Sequence, residues 1–329
     1  MNNKLTTSEK INYQENLNLD NYQATIKKLA ANEPTKRNKF RQDSLNQLTS
    51  VGLPNRKNDL WKYTSIHTKK ILEFNPCNSD NIGKLLTFTE ALAQIKPYIN
   101  NVDDYQLILF NNGYYLGNNF ATDSESEFDF INLAKYQQNR SSSHEFNINQ
   151  DIEKYYDSEA ISTNSQTNNT QNKAFNLLNN AATTDGCFIS IKPSKTINKT
   201  FAVVYLNNTT KNNVAISPQN HILVNENSSA ELLEIYISNN NINNCFTNAV
   251  TTINLKSNAK LTHTVIQHAT DNNLQLTDIE VSQQKNSFLT TSLFSFGGEI
   301  SRINYHAQLL GNYANTNINA LKFTKNKQV

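Results

Sequence analysis

Beyond about residue 185, the chain is a succession of short runs in which apolar and polar residues alternate. In the run 232–237, Leu233, Ile235 and Ile237 fall on one face and Glu234 on the other, which is the two-residue period of a β-strand. Polar turns separate the runs at spacings of roughly 10 to 15 residues, which is typical of an all-β sandwich, barrel or solenoid. The runs are 187–192, 201–206, 221–224, 232–237, 247–255, 260–267, 274–281, 288–296, 302–310 and 316–323.

The turns between these runs are rich in asparagine, which makes up about one residue in six of the whole chain. Asparagine tolerates left-handed turn conformations and can form side-chain ladders between stacked coils. Glycine-rich turn dipeptides, which would favour tight hairpins, are missing from these turns apart from Gly297-Gly298. The turns therefore favour a solenoid, although the alternation alone does not separate a solenoid from a sandwich.

The N-terminal part has a different period. Residues 8–50 place apolar side chains three to four apart, which predicts helix, and Pro34 divides the segment into two helices. Gly52 and Pro54 are expected to end the helical region. The apolar positions are Tyr22, Ile26, Leu29, Phe40, Leu45 and Leu48.

Between the helices and the strand series, the pattern is less regular. Residues 81–99 are predicted to form a further helix, and 107–110 with 114–116 a hairpin around Asn112-Gly113. The segment 122–173 is polar and is interpreted as long loops with a short helix near 149–156.

The charge pattern excludes some classes of partner. Net charge is only +2 with 18% charged residues, and no block of like charges indicates nucleic acid or an anionic membrane surface. The first 29 residues have no apolar core of a signal peptide, and the longest apolar runs are too short to span a bilayer. We therefore expect a cytoplasmic protein.

The candidates for metal binding are weak. Cys77, Cys187 and Cys245 lie far apart without a CxxC pair, so we interpret them as small buried residues, although thiolates at 187 and 245 are the soft ligands that iron prefers. His263 and His268 are five apart, which puts them on opposite faces of a strand. The remaining candidates, expected to make surface or turn hydrogen bonds, are His221, His306 and Arg302.

One segment is far more specific than the rest: residues 52–64, with the sequence GLPNRKNDLWKYT. It resembles the G-L-P-x-R-[KR]-x-E-x-W-[KR]-Y-T signature of the SufD branch of the SufB/SufD family, with Asp59 in place of Glu. Trp61 and Tyr63 are expected to be buried, and Arg56 and Lys62 to lie at the surface or to pair with a carboxylate. The segment offers no nucleophile paired with a base, so we interpret it as a packing element.

Two weaker motifs support the same resemblance. Residues 110–115 (FNNGYY) are similar to the family's F-x-x-G-x-Y hairpin. Gly297-Gly298, Arg302, Leu309 and Gly311 match its G-G-x-x-x-R-x-x-x-x-x-x-L-x-G stretch.

The resemblance implies a mainly β protein: a right-handed parallel β-helix preceded by an N-terminal α-helical region. Its parts would be the helical region 1–100, a hairpin and polar loop region 101–175, and the β-helix core 176–329. Family members continue beyond the position of Val329 with further coils and a helical tail, so the core is expected to be incomplete at its C-terminal end.

The resemblance also implies a non-catalytic scaffold of the SUF iron–sulfur cluster assembly complex, with the paralogue SufB and the ATPase SufC as partners. No catalytic, cofactor or metal residue is assigned, and a nascent iron–sulfur cluster is expected only in complex with SufB. The chain has no G-x-x-x-x-G-K-[ST] phosphate loop of an ATPase. Two alternatives stay open: a truncated, non-functional copy, and a β-helix carbohydrate-active enzyme. Such an enzyme needs a cluster of carboxylates on one face, whereas the acids on these strands are isolated and without a repeating pattern: Glu231, Glu234, Asp278 and Glu280.

Overall fold

A computed structural model describes residues 19–30, 35–54, 58–62, 64, 68–121, 126–135, 173–238, 244–325 and 328. The helices in these ranges are α1 (Asp20–Ala30), α2 (Thr35–Val51), α3 (Thr68–Leu72), α4 (Phe88–Ile95) and α5 (Ala174–Ala182), with 3₁₀ turns at Asp59–Trp61 and Val102–Asp104. The strands are β1 (Asn75–Pro76), β2 (Tyr105–Asn111), β3 (Tyr114–Asn118), β4 (Phe128–Asn132), β5 (Gly186–Ile191), β6 (Thr200–Asn207), β7 (Val214–Ile216), β8 (Gln219–Val224), β9 (Ser229–Ser238), β10 (Cys245–Leu255), β11 (Lys260–Ala269), β12 (Leu274–Gln283), β13 (Phe288–Gly297), β14 (Ile300–Leu309) and β15 (Asn315–Phe323).

From β8 to β15, successive strands alternate between two facing sheets. Sheet A contains β8, β10, β12 and β14, and sheet B contains β9, β11, β13 and β15. Each strand pairs in parallel with the strand two places further along the chain. The result is a mainly β chain with a β-solenoid of about four turns and N-terminal helices, which confirms the predicted fold class.

Strands β5 to β10 bury residues on both of their faces, whereas most of β15 is exposed. One face of each points into the space between the sheets, where Val203, Tyr236 and Ile253 lie in one buried cluster. The outer face of sheet A is covered by α1, α2 and α5, and that of sheet B by α4. Parallel strands buried on both sides are the expected result of covering a sheet with helices.

Two buried arginines fix α2 against its neighbours. The Arg41 guanidinium donates to the carbonyl of Ala181 at 3.0 Å, in the last turn of α5. Arg37 donates to the carbonyl of Leu133 at 3.0 Å. Guanidinium groups suit the carbonyls that a helix leaves unpaired at its C-terminus.

Asparagines stack along one row of turns. Asn227, Asn258 and Asn286 have φ values of 58°, 60° and 57°. The amide of Asn258 donates to Asn227 at 2.9 Å, and that of Asn286 donates to Asn258 at 3.1 Å. The side-chain ladder expected from the sequence is therefore present.

Replacing Asn258 with alanine is expected to lower the free energy of unfolding by about 1–2 kcal/mol, because alanine loses two side-chain hydrogen bonds and resists positive φ. Glycine at the same position keeps the turn and should cost less. Urea unfolding measures both, with Asn272→Ala, at an exposed turn position outside the ladder, as the control. Equal losses for the alanine and glycine variants would contradict the assigned turn conformation.

Most of the predicted elements are confirmed. Two helices flank Pro34, Gly52 ends the second at φ +72°, and β2 and β3 form the hairpin around Asn112-Gly113. All ten predicted strands are present. Residues 8–18 and 149–156 lie outside the described residues.

Two predictions need correction, and one helix was missed. The helix expected at 81–99 begins only at Phe88, where Thr87 and Glu90 form a capping box. The segment 122–173 contains the strand β4, paired antiparallel with β5. The helix α5 was not predicted, because its AFNLLNNAA sequence mixes apolar residues with asparagine, a weak helix former.

Candidate functional site: the open end of the strand ladder

Among the residues that the structure describes, β14 and β15 lie at the edges of the two sheets. Among the described strands, β14 pairs only with β12, and β15 only with β13. Backbone groups on the far side of β14 and β15 therefore have no strand partner within the described residues. Such an edge is a template for pairing with another chain.

Interior side chains are also exposed at this end. Ile318 of β15 is in register with Thr291 and, one coil earlier, with His263. Those two side chains are fully buried, whereas Ile318 is 48% exposed. The open end thus presents apolar interior positions together with unpaired backbone, which a further coil would cover.

The signature tryptophan lies close to this end. Trp61 is buried and packs against Phe175 of α5 with ring centroids 5.0 Å apart. The guanidinium of Arg302 lies 4.0 Å from the centre of the Trp61 ring and donates to Thr64 at 2.6 Å. Two motifs 241 residues apart in the sequence therefore meet in a cation–π contact.

The backbone conformation requires glycine at Gly297 and Gly298, the glycine pair of the motif that contains Arg302. Gly297 has φ +76°, and a Cβ there would lie 2.1 Å from the carbonyl oxygen of Ala269 in the neighbouring strand. Gly298 has φ +83° and donates its N–H to the same carbonyl at 3.0 Å. Only glycine fits this close approach.

A second feature is a polar group inside the solenoid, which we call the interior polar cluster. Its members point into the space between the sheets from six strands, and each is at most 1% exposed. They are Cys187, Tyr205, Asn220, Glu234, Tyr236, Thr251 and His263.

Glu234 is the centre of the interior polar cluster. Its carboxylate accepts hydrogen bonds from His263 Nε2 at 2.9 Å, Tyr236 at 2.5 Å, Thr251 at 2.8 Å and Asn220 at 3.1 Å. Burial alone would raise the pKa of Glu234, but the hydrogen bond and charge of His263, with the two hydroxyl donors, hold it below its ordinary value. The buried carboxylate is therefore ionised and satisfied by neighbours from other coils.

The rest of the interior polar cluster extends from Asn220, whose side-chain oxygen accepts hydrogen bonds from Tyr205 at 2.5 Å and from the Cys187 thiol at 3.1 Å. Burial raises the pKa of that thiol well above its ordinary value, and the charge of Glu234 adds to the rise. Cys187 is therefore a protonated, shielded thiol and not a reactive one. The cluster links successive coils without opening to solvent.

A third polar group lies on the outer face of sheet A, near the open end. Asp278 is fully buried and lies beside Glu280 on β12 and beside Asn304 and His306 on β14. His306 Nε2 is 3.9 Å from the Asp278 carboxylate, too far for a hydrogen bond. Burial raises the pKa of Asp278 to about 7, with Glu280 adding to the rise and Asn304 and Arg302 opposing it.

The predicted metal candidates do not converge. Cys77, Cys187 and Cys245 are all buried with free thiols, and His263 is interior while His268 is exposed on the opposite face. Among the described residues, no three His, Cys, Asp or Glu side chains are placed to hold a metal ion. Arg56 and Tyr63 lie outside the described residues.

Two expected surface roles are wrong. His221 is 3% exposed on the outer face of sheet A, and burial together with the charge of Arg37 lowers its pKa to about 3. Arg302 is half-buried against Trp61. His306, by contrast, has a side chain 44% exposed, and Lys62 is exposed, both as predicted.

The four carboxylates considered for an enzyme lie on three different faces. Glu231 is exposed on the outer face of sheet B, where Thr200 donates to it at 2.8 Å. Glu234 is in the interior, and Asp278 and Glu280 are on the outer face of sheet A. The sheets therefore separate Glu231 and Glu234 from each other and from the neighbouring Asp278 and Glu280.

Comparison with known proteins finds a similarity over part of the chain. Residues 205–329 match the family model described as the SufBD core domain of SUF system FeS cluster assembly. The matched segment contains β8 to β15, and so both open edges. No curated protein matches the chain. No helix in the described ranges is long and apolar enough to cross a membrane.

Proposed function

We propose that this chain is a SufD-type, non-catalytic scaffold of SUF iron–sulfur cluster assembly that acts in the cytoplasm with SufB and SufC. The observation that carries the proposal is the match of residues 205–329 to the SufBD core domain. The motif at 52–64 favours SufD over SufB.

The open end supports a scaffold that works by pairing. Strands β14 and β15 offer unpaired edges, and Ile318 offers an exposed interior position. A paralogue with the same coil geometry can continue both ladders at once.

The chemistry of the described residues supports a role without catalysis. The thiols of Cys77, Cys187 and Cys245 are buried with raised pKa values, so none is available as a nucleophile. A nascent cluster would be held only in the complex, with SufB supplying ligands that the described residues of this chain do not bring together.

The test is co-expression of the tagged chain with SufB and SufC of the same organism, followed by affinity purification. Wild type is expected to retain both partners, and Ile318→Asp to reduce SufB recovery at least tenfold, because it places a charge in the apolar end. Asn198→Asp, at an exposed position just before β6 and four strands away from β15 in sheet B, is the control.

Three outcomes would overturn the proposal: no SufB recovery with the wild-type chain, equal loss in both variants, or hydrolysis of a polysaccharide panel.

A second experiment attempts to reconstitute an iron–sulfur cluster on the isolated chain and follows it by visible absorbance. A stable cluster on the isolated chain would contradict the assignment of cluster binding to the complex.

A further inference from the structure

A row of polar side chains crosses the inside of the solenoid, near the end where strands of sheet B finish and strands of sheet A begin. Thr247, Gln275 and Ser301 are in register on β10, β12 and β14. The amide of Asn207, the last residue of β6, donates to the Thr247 hydroxyl at 2.9 Å. Each of the four is at most 5% exposed. We call these four residues the polar seam; it shares no residue with the interior polar cluster.

Gln275 is the unusual member of the polar seam. It lies on the same face of β12 as Ile279 and Val281, which are buried between the sheets. Within the part of the chain that the structure describes, neither the amide nitrogen nor the amide oxygen of Gln275 has a hydrogen-bond partner. The side-chain oxygen of Asn207 is buried without a donor in the same way. Buried amides in native proteins are almost always hydrogen-bonded, to protein groups or to ordered water.

The neighbouring polar groups are already engaged with one another. The Thr247 hydroxyl accepts from Asn207, and the Ser301 hydroxyl donates to the side-chain oxygen of Gln267 at 2.8 Å. These bonds use the hydroxyl groups that lie in register on either side of Gln275. The ligand of the Gln275 amide is therefore not one of these side chains.

The chemistry of the polar seam selects a small neutral ligand. The Gln275 amide offers two N–H donors and one oxygen acceptor, and Asn207 offers a further acceptor, so the ligand must both accept and donate. No member of the seam is ionisable. The Lys322 ammonium donates to the Ser301 carbonyl at 2.9 Å, and its positive charge disfavours a cation. An anion would leave the two amide oxygens without donors. Water meets all of these requirements.

We propose that the polar seam is a binding site for buried water, held inside the solenoid by the Gln275 amide and the free oxygen of Asn207. Buried waters typically make two to four hydrogen bonds to polar groups that would otherwise be unsatisfied. Water here ties the coil of β12 to its neighbours through the interior. This tie is independent of the helices that cover the outer faces and of the proposed assembly role.

Magnetic relaxation dispersion of water oxygen nuclei tests the proposal, because it detects water molecules that stay inside a protein for long times. Methionine is close to glutamine in length but has no amide, so Gln275→Met should lower the dispersion amplitude of the full chain by about one water molecule. Gln284→Met makes the same chemical change at an exposed turn position and should leave the amplitude unchanged. An unchanged amplitude in Gln275→Met, or an equal loss in both variants, would overturn the proposal.

A crystal structure of the wild-type chain keeps the test independent of how a variant folds. Electron density for a water is expected about 2.7–3.2 Å from the Gln275 amide. An amide that instead bonds directly to Thr247 or Ser301, with no water beside it, would contradict the proposal. Urea unfolding adds a thermodynamic readout: loss of a bound water should lower the midpoint of Gln275→Met, whereas removal of a truly unpaired amide would raise it.

Discussion

Replacing Glu234 with alanine is expected to lower the free energy of unfolding by about 3–5 kcal/mol. The substitution removes the acceptor on which Asn220, Tyr236, Thr251 and His263 converge. Their polar groups would stay buried without that partner, and each unsatisfied group costs about 1–3 kcal/mol. Urea unfolding followed by circular dichroism measures the loss.

Two matched variants test the cause. Glu234→Gln keeps the side-chain shape and one oxygen acceptor, so its loss should be smaller than that of alanine. Glu231→Ala lies on the same strand but is exposed, and should change stability by less than about 1 kcal/mol. If alanine at 234 cost no more than alanine at 231, the interior polar cluster would have no role in holding the coils together.

The contribution of Glu234 to the free energy of unfolding should depend on pH in a definite direction. The pKa of Glu234 is lower in the folded state than its ordinary 4.5, so the unfolded chain binds a proton first as the pH falls. The stabilisation is complete above the ordinary pKa and is lost as the pH falls through the folded value. Glu234→Gln should remove this part of the acid sensitivity.

The strands could be predicted because the alternation of apolar and polar residues, as in 229–238, has the two-residue period of a β-strand. What alternation could not reveal is that both faces of β9 are buried. Glu234 and Tyr236 look like a solvent face in the sequence, yet they form the interior polar cluster, while Ile235 and Ile237 are the outer face under α4. The distinction depends on which element covers the sheet, and that is a tertiary fact.

Long-range contacts were missed for the same reason. Trp61 and Arg302 each belong to a recognisable motif. Nothing in the sequence spacing of the two motifs predicts that the Arg302 guanidinium stacks on the Trp61 ring. The sequence places Asp278 on the outer row of β12 beside Glu280. Asp278 is buried because the neighbouring strand and the chain packed over sheet A cover it. The alternation of apolar and polar residues along one strand contains no information about these neighbours.

Replacing Asp278 with asparagine is expected to stabilise the chain at pH 8 by about 2–4 kcal/mol and to have little effect at pH 4. Burial raises the pKa of this carboxyl from an ordinary 3.8 to about 7, so the folded chain binds the proton more tightly than the unfolded one. The stability linked to that proton is complete below about pH 4 and is lost as the pH rises through 7. Asparagine imitates the protonated form and removes the loss.

The groups facing Asp278 determine how large the effect is. Glu280 on the same strand adds to the rise in pKa, while Arg302 and the amide of Asn304 on β14 oppose it, and His306 lies 3.9 Å away. The measurement is the difference in unfolding free energy between Asp278→Asn and wild type from pH 4 to pH 8. Asp104→Asn, at an exposed position, is the control and should give no trend. A difference that stays constant with pH would mean that Asp278 is ionised throughout this range in the folded chain, as it is in the unfolded chain, and would contradict the raised pKa.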